Sequence, residues 1–143
     1  MDSVFLDSDV VLDLYIDREP HHAEALTLFT HLKRIKVGCY CSPIVIANTY
    51  YILSKVKNSK YALEKMRNLR RLVSIAPVGE KTIDRALEDP YKDFEDSIQQ
   101  NCALENGIKV ILTRNAKHFS KERISVMSPH EYLVAFGVDP TQG

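Results

Sequence analysis

The sequence has no net charge, no long apolar run and little cysteine, and each lack excludes a class of protein. Its 19 Lys and Arg residues equal its 19 Asp and Glu residues, so it is not a globally basic nucleic-acid-binding protein. No stretch approaches the roughly 20 apolar residues of a membrane span. The N-terminus lacks the basic segment and apolar run of a signal peptide. We therefore expect a cytoplasmic protein with no membrane association.

Cysteine is scarce, and its spacing suggests neither a disulfide framework nor a zinc site. The three cysteines are Cys39, Cys41 and Cys102. Their number is odd and no Cys-x-x-Cys pair occurs, so we interpret them as small buried hydrophobic residues. Repeats, low-complexity segments and interdomain linkers are also absent. A chain of 143 residues with 45% hydrophobic and 27% charged residues is typical of one globular domain, here expected to span residues 1–143.

Short apolar runs alternate with helical patterns along the chain. Strands are predicted at residues 4–6, 39–41, 73–76, 110–112 and 124–127. Helices are predicted at residues 10–16, 20–37, 43–56, 60–72, 80–87, 93–105 and 129–136, with Asp9 capping the first. This alternation predicts a three-layer α/β/α fold with a short-stranded, mostly parallel central sheet. Ligands of such sheets bind beyond the carboxyl ends of the strands.

Polar residues follow three of the predicted strands. Asp7, Ser8 and Asp9 come after the first strand, Ser42 after the second with Asn48 in the next helix, and Thr113, Arg114 and Asn115 after strand 110–112. Asp93 and Asp96 begin the helix before that strand and lie three residues apart, on one helical face. At about 100° per residue, Glu95 is expected to point away from both. These side chains are predicted to share one edge of the sheet.

Carboxylates gathered at one edge repel each other unless a cation neutralises them. Hard oxygen ligands suit Mg²⁺ or Mn²⁺, and such sites activate water for attack on a phosphodiester. Asp9 and Asp93 have an alternative interpretation as helix caps. Asp7 ends an apolar strand, where a poorly solvated carboxylate needs a partner, so we predict a functional role for it.

One segment is strongly basic although the whole chain is neutral. Residues 55–71 contain seven basic residues and one acid, Glu64: Lys55, Lys57, Lys60, Lys65, Arg67, Arg70 and Arg71. Such a block usually forms a solvated face. The alternative is a rim that binds phosphates beside the acidic site.

Three segments resemble motifs of the PIN-domain family. Residues 4–14 (VFLDSDVVLDL) resemble its first motif, residues 93–98 (DFEDSI) its third, and residues 111–115 (ILTRN) with 117–119 (KHF) its fourth. The resemblance extends from residue 4 to about residue 133. It implies a divalent-metal-dependent endoribonuclease. Many relatives are VapC-type toxins that form homodimers and are blocked by a cognate antitoxin.

Matched by position, Asp7 and Asp96 correspond to metal-binding acids, with Asp93 in support. Asn48 stands where many members have Glu, Asn115 where many have Asp, and His118 replaces a common Asp. The two Asn residues would orient the ion or its waters. Because they remove two negative charges, they predict weaker metal binding, which Asp93 and to a lesser degree Glu95 would partly restore. Candidate substrate contacts are Ser8, Thr113, Arg114 and Lys117.

Two other functions fit parts of the sequence. The weakened acid set is compatible with a PIN-like module that binds RNA or a protein without cutting. Asp7-Ser8-Asp9 also resembles the first motif of haloacid-dehalogenase-type phosphatases, in which Asp7 would be the nucleophile and Asp9 the acid/base. That family expects its late acids after a strand, whereas Glu95 and Asp96 precede one.

Overall fold

The computed structural model describes residues 3–89, 93–121 and 123–140. Within these ranges five strands alternate with seven α-helices. In chain order the elements are β1 (Ser3–Leu6), α1 (Ser8–Tyr15), α2 (His21–Arg34), β2 (Gly38–Cys41), α3 (Pro43–Val56), α4 (Ser59–Leu72), β3 (Ser74–Ile75), α5 (Glu80–Leu87), α6 (Phe94–Glu105), β4 (Val110–Leu112), β5 (Ser125–Met127) and α7 (Pro129–Ala135). The expected domain bounds also take in residues 1–2 and 141–143, which lie outside the described residues.

The strands form one parallel sheet in the order β3-β2-β1-β4-β5. The chain builds outward from β1 through β2 to β3, and then returns to the other side of β1 with β4 and β5. The strand order therefore reverses between β1 and β4, which are paired with Phe5 opposite Ile111. A crevice forms beyond the carboxyl ends of strands at such a switch point. Asp7 and Thr113 directly follow these two strands.

Side chains of β1 enter the core on both faces of the sheet. Val4 and Leu6 join the larger apolar cluster, which includes residues of α1 to α4 and α7. Phe5 points the other way, into a smaller cluster with Cys102 and Ala103 of α6. A parallel strand covered on both faces is typical of α/β proteins. The predicted three-layer α/β/α architecture is confirmed.

The boundaries differ from the sequence prediction mainly at the ends of elements. The cap of α1 is Asp7, whose carboxylate accepts a hydrogen bond from the Ser8 N–H, so the prediction of Asp9 as the cap was wrong. The cause is that Asp7 keeps the extended backbone of β1 until the helix begins. A single 3-10 turn, Ala116–His118, was not predicted. In the part of the chain that the structure describes, no helix is both long and apolar enough to span a membrane.

Candidate active site

Asp7 joins the two strands at the switch point. Its side chain is nearly buried, with 5% of the residue exposed. One carboxylate oxygen, Oδ1, accepts a hydrogen bond from the Ser8 N–H at 2.8 Å, and Oδ2 accepts one from the Thr113 hydroxyl at 2.9 Å. Burial raises the pKa of Asp7 and the negative charge of Asp93 adds to the rise, whereas the two hydrogen bonds oppose it. The two hydrogen bonds thus hold the Asp7 carboxylate in place beside the crevice, where burial makes its negative charge unfavourable.

Asp9 holds the loop that follows β4. Its Oδ2 accepts hydrogen bonds from the Arg114 N–H and from the Asn115 side-chain amide, each at 3.0 Å. Its Oδ1 is buried, with no hydrogen-bond partner among the described residues. Burial and then the charge of Asp7 raise the pKa of Asp9 to about 7. From its position after the first strand, Asp9 was expected at this edge of the sheet with a cap as the alternative interpretation, and its hydrogen bonds to Arg114 and Asn115 place it there.

Arg114 is engaged with an acid on α1 instead of facing the crevice freely. Its Nε lies 2.7 Å from Asp13 Oδ2, and its Nη2 lies 3.3 Å from Asp13 Oδ1. Asp13 is only 1% exposed. Asp9 and Asp13 are four residues apart on one face of α1, so together they clamp residues 113–115. That spacing of two acids is the signal by which the clamp could have been recognised in the sequence.

Two more carboxylates stand at the start of α6. Asp93 caps the helix and accepts a hydrogen bond from the Asp96 N–H at 3.1 Å. Asp96 Oδ2 lies 2.9 Å from His118 Nδ1. Burial raises the pKa of Asp96 to about 6, and the charges of Asp7 and Asp93 contribute to the rise. Asp7, Asp93 and Asp96 therefore share one negative field, although Asp7 lies far from the other two in the sequence.

Asn48 and Glu95 meet across the same edge. The Asn48 side-chain amide donates to Glu95 Oε1 at 2.6 Å. Burial, followed by the charges of Asp7 and Asp93, raises the pKa of Glu95. The expectation that Glu95 points away from the acids was wrong. It rested on helical spacing from Asp93 and Asp96, but Asp93 is a cap residue with extended backbone outside the helix, and the step of one residue to Asp96 is only about 100°.

The candidate substrate-binding residues differ in their access to the surface. Thr113 is completely buried, and the Ser8 hydroxyl oxygen is hidden from solvent. The Thr113 hydroxyl and the Ser8 N–H both donate hydrogen bonds to the Asp7 carboxylate. Lys117 is exposed on the 3-10 turn. Of the four candidates, Lys117 is the most accessible to solvent.

The donor set suits a hard divalent cation by its charge and chemistry. Burial, together with the charge of Asp93 and for the last two also that of Asp7, raises the pKa values of Asp7, Glu95 and Asp96, and the buried Asp9 Oδ1 has no donor among the described residues. Carboxylate oxygens are the ligands that Mg²⁺ and Mn²⁺ prefer. Across the described ranges, no three Asp, Glu, His or Cys side chains already enclose a common point as metal ligands. The carboxylates therefore fit a divalent cation by their charge and by the type of donor atom.

The fold and the site together define an α/β/α domain with an acidic crevice at the switch point of a parallel sheet. A family model described as "PIN domain" matches residues 3–117. The chain belongs to the PIN domain family, which confirms the resemblance seen in the sequence.

Characterised proteins show the same relationship. The chain is 29% identical over 136 residues to ribonuclease VapC1 of Aquifex aeolicus, covering 92% of this chain and 93% of that protein. A toxin–antitoxin complex from Klebsiella pneumoniae contains a chain with a TM-score of 0.67 at 19% identity, covering 90% of this chain and 99% of that one. VapC20 of Mycobacterium tuberculosis, titled a sarcin–ricin loop cleaving toxin, gives a TM-score of 0.60 at 16% identity, covering 84% and 92%. At these identities the structural likeness supports the fold alone.

Proposed function

We propose that this protein is a divalent-metal-dependent endoribonuclease and the toxin of a toxin–antitoxin module. The observation that carries the proposal is the cluster around the buried Asp7, whose field includes Asp93 and Asp96. A repulsive cluster of this kind is compatible with a folded protein when a cation or protons neutralise it. The ribonuclease named among its relatives supports the choice of RNA as substrate.

In this proposal Asp7, Asp96 and Asp93 hold Mg²⁺ or Mn²⁺. The bound ion would activate water and stabilise the charge that develops on the phosphodiester. Thr113 and the Ser8 N–H fix the Asp7 carboxylate. Asn115 holds Asp9 and Asn48 holds Glu95, so both amides orient carboxylates at the crevice. We expect products with 5′-phosphate and 3′-hydroxyl ends.

The RNA backbone would meet exposed cations, one of them next to His118 and the others on a surface that reaches the amino end of β2, where Arg71 lies. Lys117 is exposed next to His118, and the basic residues of segment 55–71 lie on α3, α4 and their connection. Contacts of this kind give salt-dependent affinity with little sequence preference. We further propose that the protein is a cytoplasmic homodimer. We propose a cognate antitoxin as its partner because solved structures of the same fold include toxin–antitoxin complexes.

The test is RNA cleavage with Mg²⁺ or Mn²⁺ by the wild type and by Asp7→Asn combined with Asp96→Asn. A matched control combines Asp17→Asn with Asp84→Asn, since both of these acids are exposed and outside the cluster. We expect the site variant to lose at least about a hundredfold in rate and the control to cleave normally. Equal cleavage by all three proteins would contradict the assignment. RNA binding by the wild type without cleavage would instead support the non-catalytic alternative.

The phosphatase alternative has no support in the structure. Its late acids, Glu95 and Asp96, lie at the start of α6 and therefore before β4. Family membership also points away from it.

A further inference from the structure

We propose that the exposed ring of Tyr51 is a stacking site for a base of single-stranded RNA, and that Lys55 beside it contacts the RNA backbone. The proposal rests on the proposed function, because it names the form of RNA that would reach the crevice and a site that holds it. Tyr51 lies outside the acidic cluster and has no part in the functional assignment above.

Tyr51 lies on a face of α3 that begins at the acidic edge of the sheet. Asn48, one turn earlier on α3, contacts Glu95 in the first turn of α6 at 2.6 Å. Tyr51 and Lys55 follow Asn48 by three and seven residues, and residues at these spacings share one helical face. An RNA strand that leaves the crevice along α3 therefore passes Tyr51 first and Lys55 next.

The Tyr51 ring is open to solvent and is held by a cation. The residue is 57% exposed, and Lys55 Nζ lies 4.4 Å from the centroid of its ring. A cation over one face of an aromatic ring is attracted to it, and the other face stays available for a partner. Every base has a flat face that stacks on an aromatic ring, and nearby cations attract the phosphates. The pair therefore offers one contact for a base and one for the backbone.

The charge around the ring fits a polyanion. Helix α3 contains no Asp or Glu, and the exposed Lys55 and Lys57 stand at its end. Ile52 and Val56 are exposed there as well, so a second copy of the chain is the other occupant to consider. A two-fold interface joins the same patch of both copies, so the lysines of one copy would meet those of the other, which is unfavourable. The phosphates of RNA complement the lysines instead.

The first experiment measures the affinity for a short, fluorescently labelled oligoadenylate by anisotropy in EDTA, which suppresses metal-dependent cleavage. Tyr51→Phe keeps the ring and should bind within about twofold of the wild type. Tyr51→Leu keeps an apolar side chain but loses the aromatic face, so we expect it to weaken binding about tenfold. Phe136→Leu is the matched control, because Phe136 is 54% exposed at the end of α7. It should change the affinity less than about twofold.

Stacking on Tyr51 also predicts a difference between single-stranded and double-stranded RNA. In a duplex the bases stack on one another and cannot reach the ring, whereas the phosphates stay accessible. Tyr51→Leu should therefore change the affinity for a duplex of the same length less than about twofold. Lys55→Gln should weaken the binding of both forms, because both present phosphates. Equal weakening of both forms by Tyr51→Leu would contradict stacking.

Fluorescence gives a direct measurement of the contact. The chain contains no tryptophan, so Tyr51→Trp introduces one fluorophore at the proposed site, and Phe136→Trp introduces one at the control position. We expect saturating oligoadenylate to quench the fluorescence of Tyr51→Trp and to leave that of Phe136→Trp unchanged. Equal fluorescence of Tyr51→Trp with and without RNA would contradict the contact, whatever the affinities are.

These measurements distinguish the stacking site from the proposed ribonuclease activity. If the wild type cleaves RNA and Tyr51→Leu binds and cleaves it equally well, the stacking site is wrong and the proposed function stands. If Tyr51→Leu instead converts a dimer into a monomer in size-exclusion chromatography with unchanged RNA affinity, the patch is an interface between copies and the stacking site is again wrong. A wild type that neither binds nor cleaves RNA contradicts both proposals.

Discussion

At the scale of single residues, the acids of α1 act on a distant loop as well as on their own helix. Asp13 is almost completely buried, and two guanidinium groups of unequal exposure hold its carboxylate. Arg114 approaches it at 2.7 Å with 28% of its side chain exposed, and Arg18 approaches it at 3.5 Å with 56% exposed. The contribution of each arginine to stability should therefore differ.

We predict that Arg114→Ala lowers the free energy of unfolding by about 2–3 kcal/mol, because it leaves a buried carboxylate short of its closest partner. Arg18→Ala should cost about 0–1 kcal/mol, as is usual for exposed ion pairs. Urea denaturation of both variants measures the difference. Equal losses in the free energy of unfolding would show that Arg114 stabilises the buried Asp13 no more than Arg18 does.

At the scale of elements, the basic segment offers a second test of RNA binding. Lys60, Arg67 and Arg71 are exposed on α4, and a nucleic-acid backbone in contact with them would release counterions. We predict that changing these three residues to Gln weakens RNA binding and flattens its salt dependence by about two units of slope. Fluorescence anisotropy with a short single-stranded RNA, measured over a range of salt, gives both quantities.

The chain offers a matched control on another surface. Lys109 directly precedes β4, at the amino end of the sheet, and shares its surface with Lys121 and Arg123. Changing these three residues to Gln removes the same charge from a surface pocket that no residue of α4 lines. Similar effects of the two triple variants would indicate a general charge effect and would contradict a role for α4.

The elements themselves could be predicted from the sequence because their patterns are local. The limits of α5 and β4 agree with the prediction residue for residue, since turn residues or a cap stand at both ends. The order of residues 93–96 did not reveal where Glu95 points, because that depends on whether Asp93 belongs to the helix. The 3-10 turn after β4 was missed for a related reason: the two residues that precede it, Arg114 and Asn115, are held by Asp9, which is far away in the chain.

At the scale of the whole molecule, the buried acids make stability depend on pH. Folding raises the pKa of Asp9 to about 7 and that of Asp96 to about 6, above the ordinary value of 3.8. Both groups bind protons more tightly in the folded state, so their stabilising contribution is present at low pH and is lost as the pH rises through these values. The metal-free protein should therefore lose stability between about pH 4 and pH 7 through these groups.

We predict that Asp9→Asn removes part of this loss. In EDTA, the stability of the variant minus that of the wild type should increase by about 1–2 kcal/mol as the pH rises from 5 to 8. Thermal unfolding at several pH values measures the trend. Asp17→Asn is the control, because Asp17 lies in solvent and outside the cluster. A constant difference between Asp9→Asn and the wild type across this range would contradict the assigned role of burial at Asp9.

The sequence was enough to predict which edge of the sheet carries the site. It was not enough to predict most of the hydrogen bonds and ion pairs between the side chains there. Parallel strands place their carboxyl ends together, so Asp7 and Thr113 could be assigned to one edge from the order of elements alone. The engagement of Arg114 with Asp13 and of Asn48 with Glu95 depends on side-chain packing between elements that are far apart in sequence. The spacing of Asp9 and Asp13 indicates that two acids share one face of α1, but no local pattern identifies the residue that they meet, and for this reason the contact of Arg114 with Asp13 was not predicted.

The hydrogen bond between Asp7 and Thr113 spans 106 residues of sequence. During synthesis, Asp7 emerges from the ribosome long before β4 exists, and the crevice forms only when β4 pairs with β1. A partly translated chain therefore lacks the assembled centre. We expect a nascent molecule to lack the proposed ribonuclease activity until most of the polypeptide has been released.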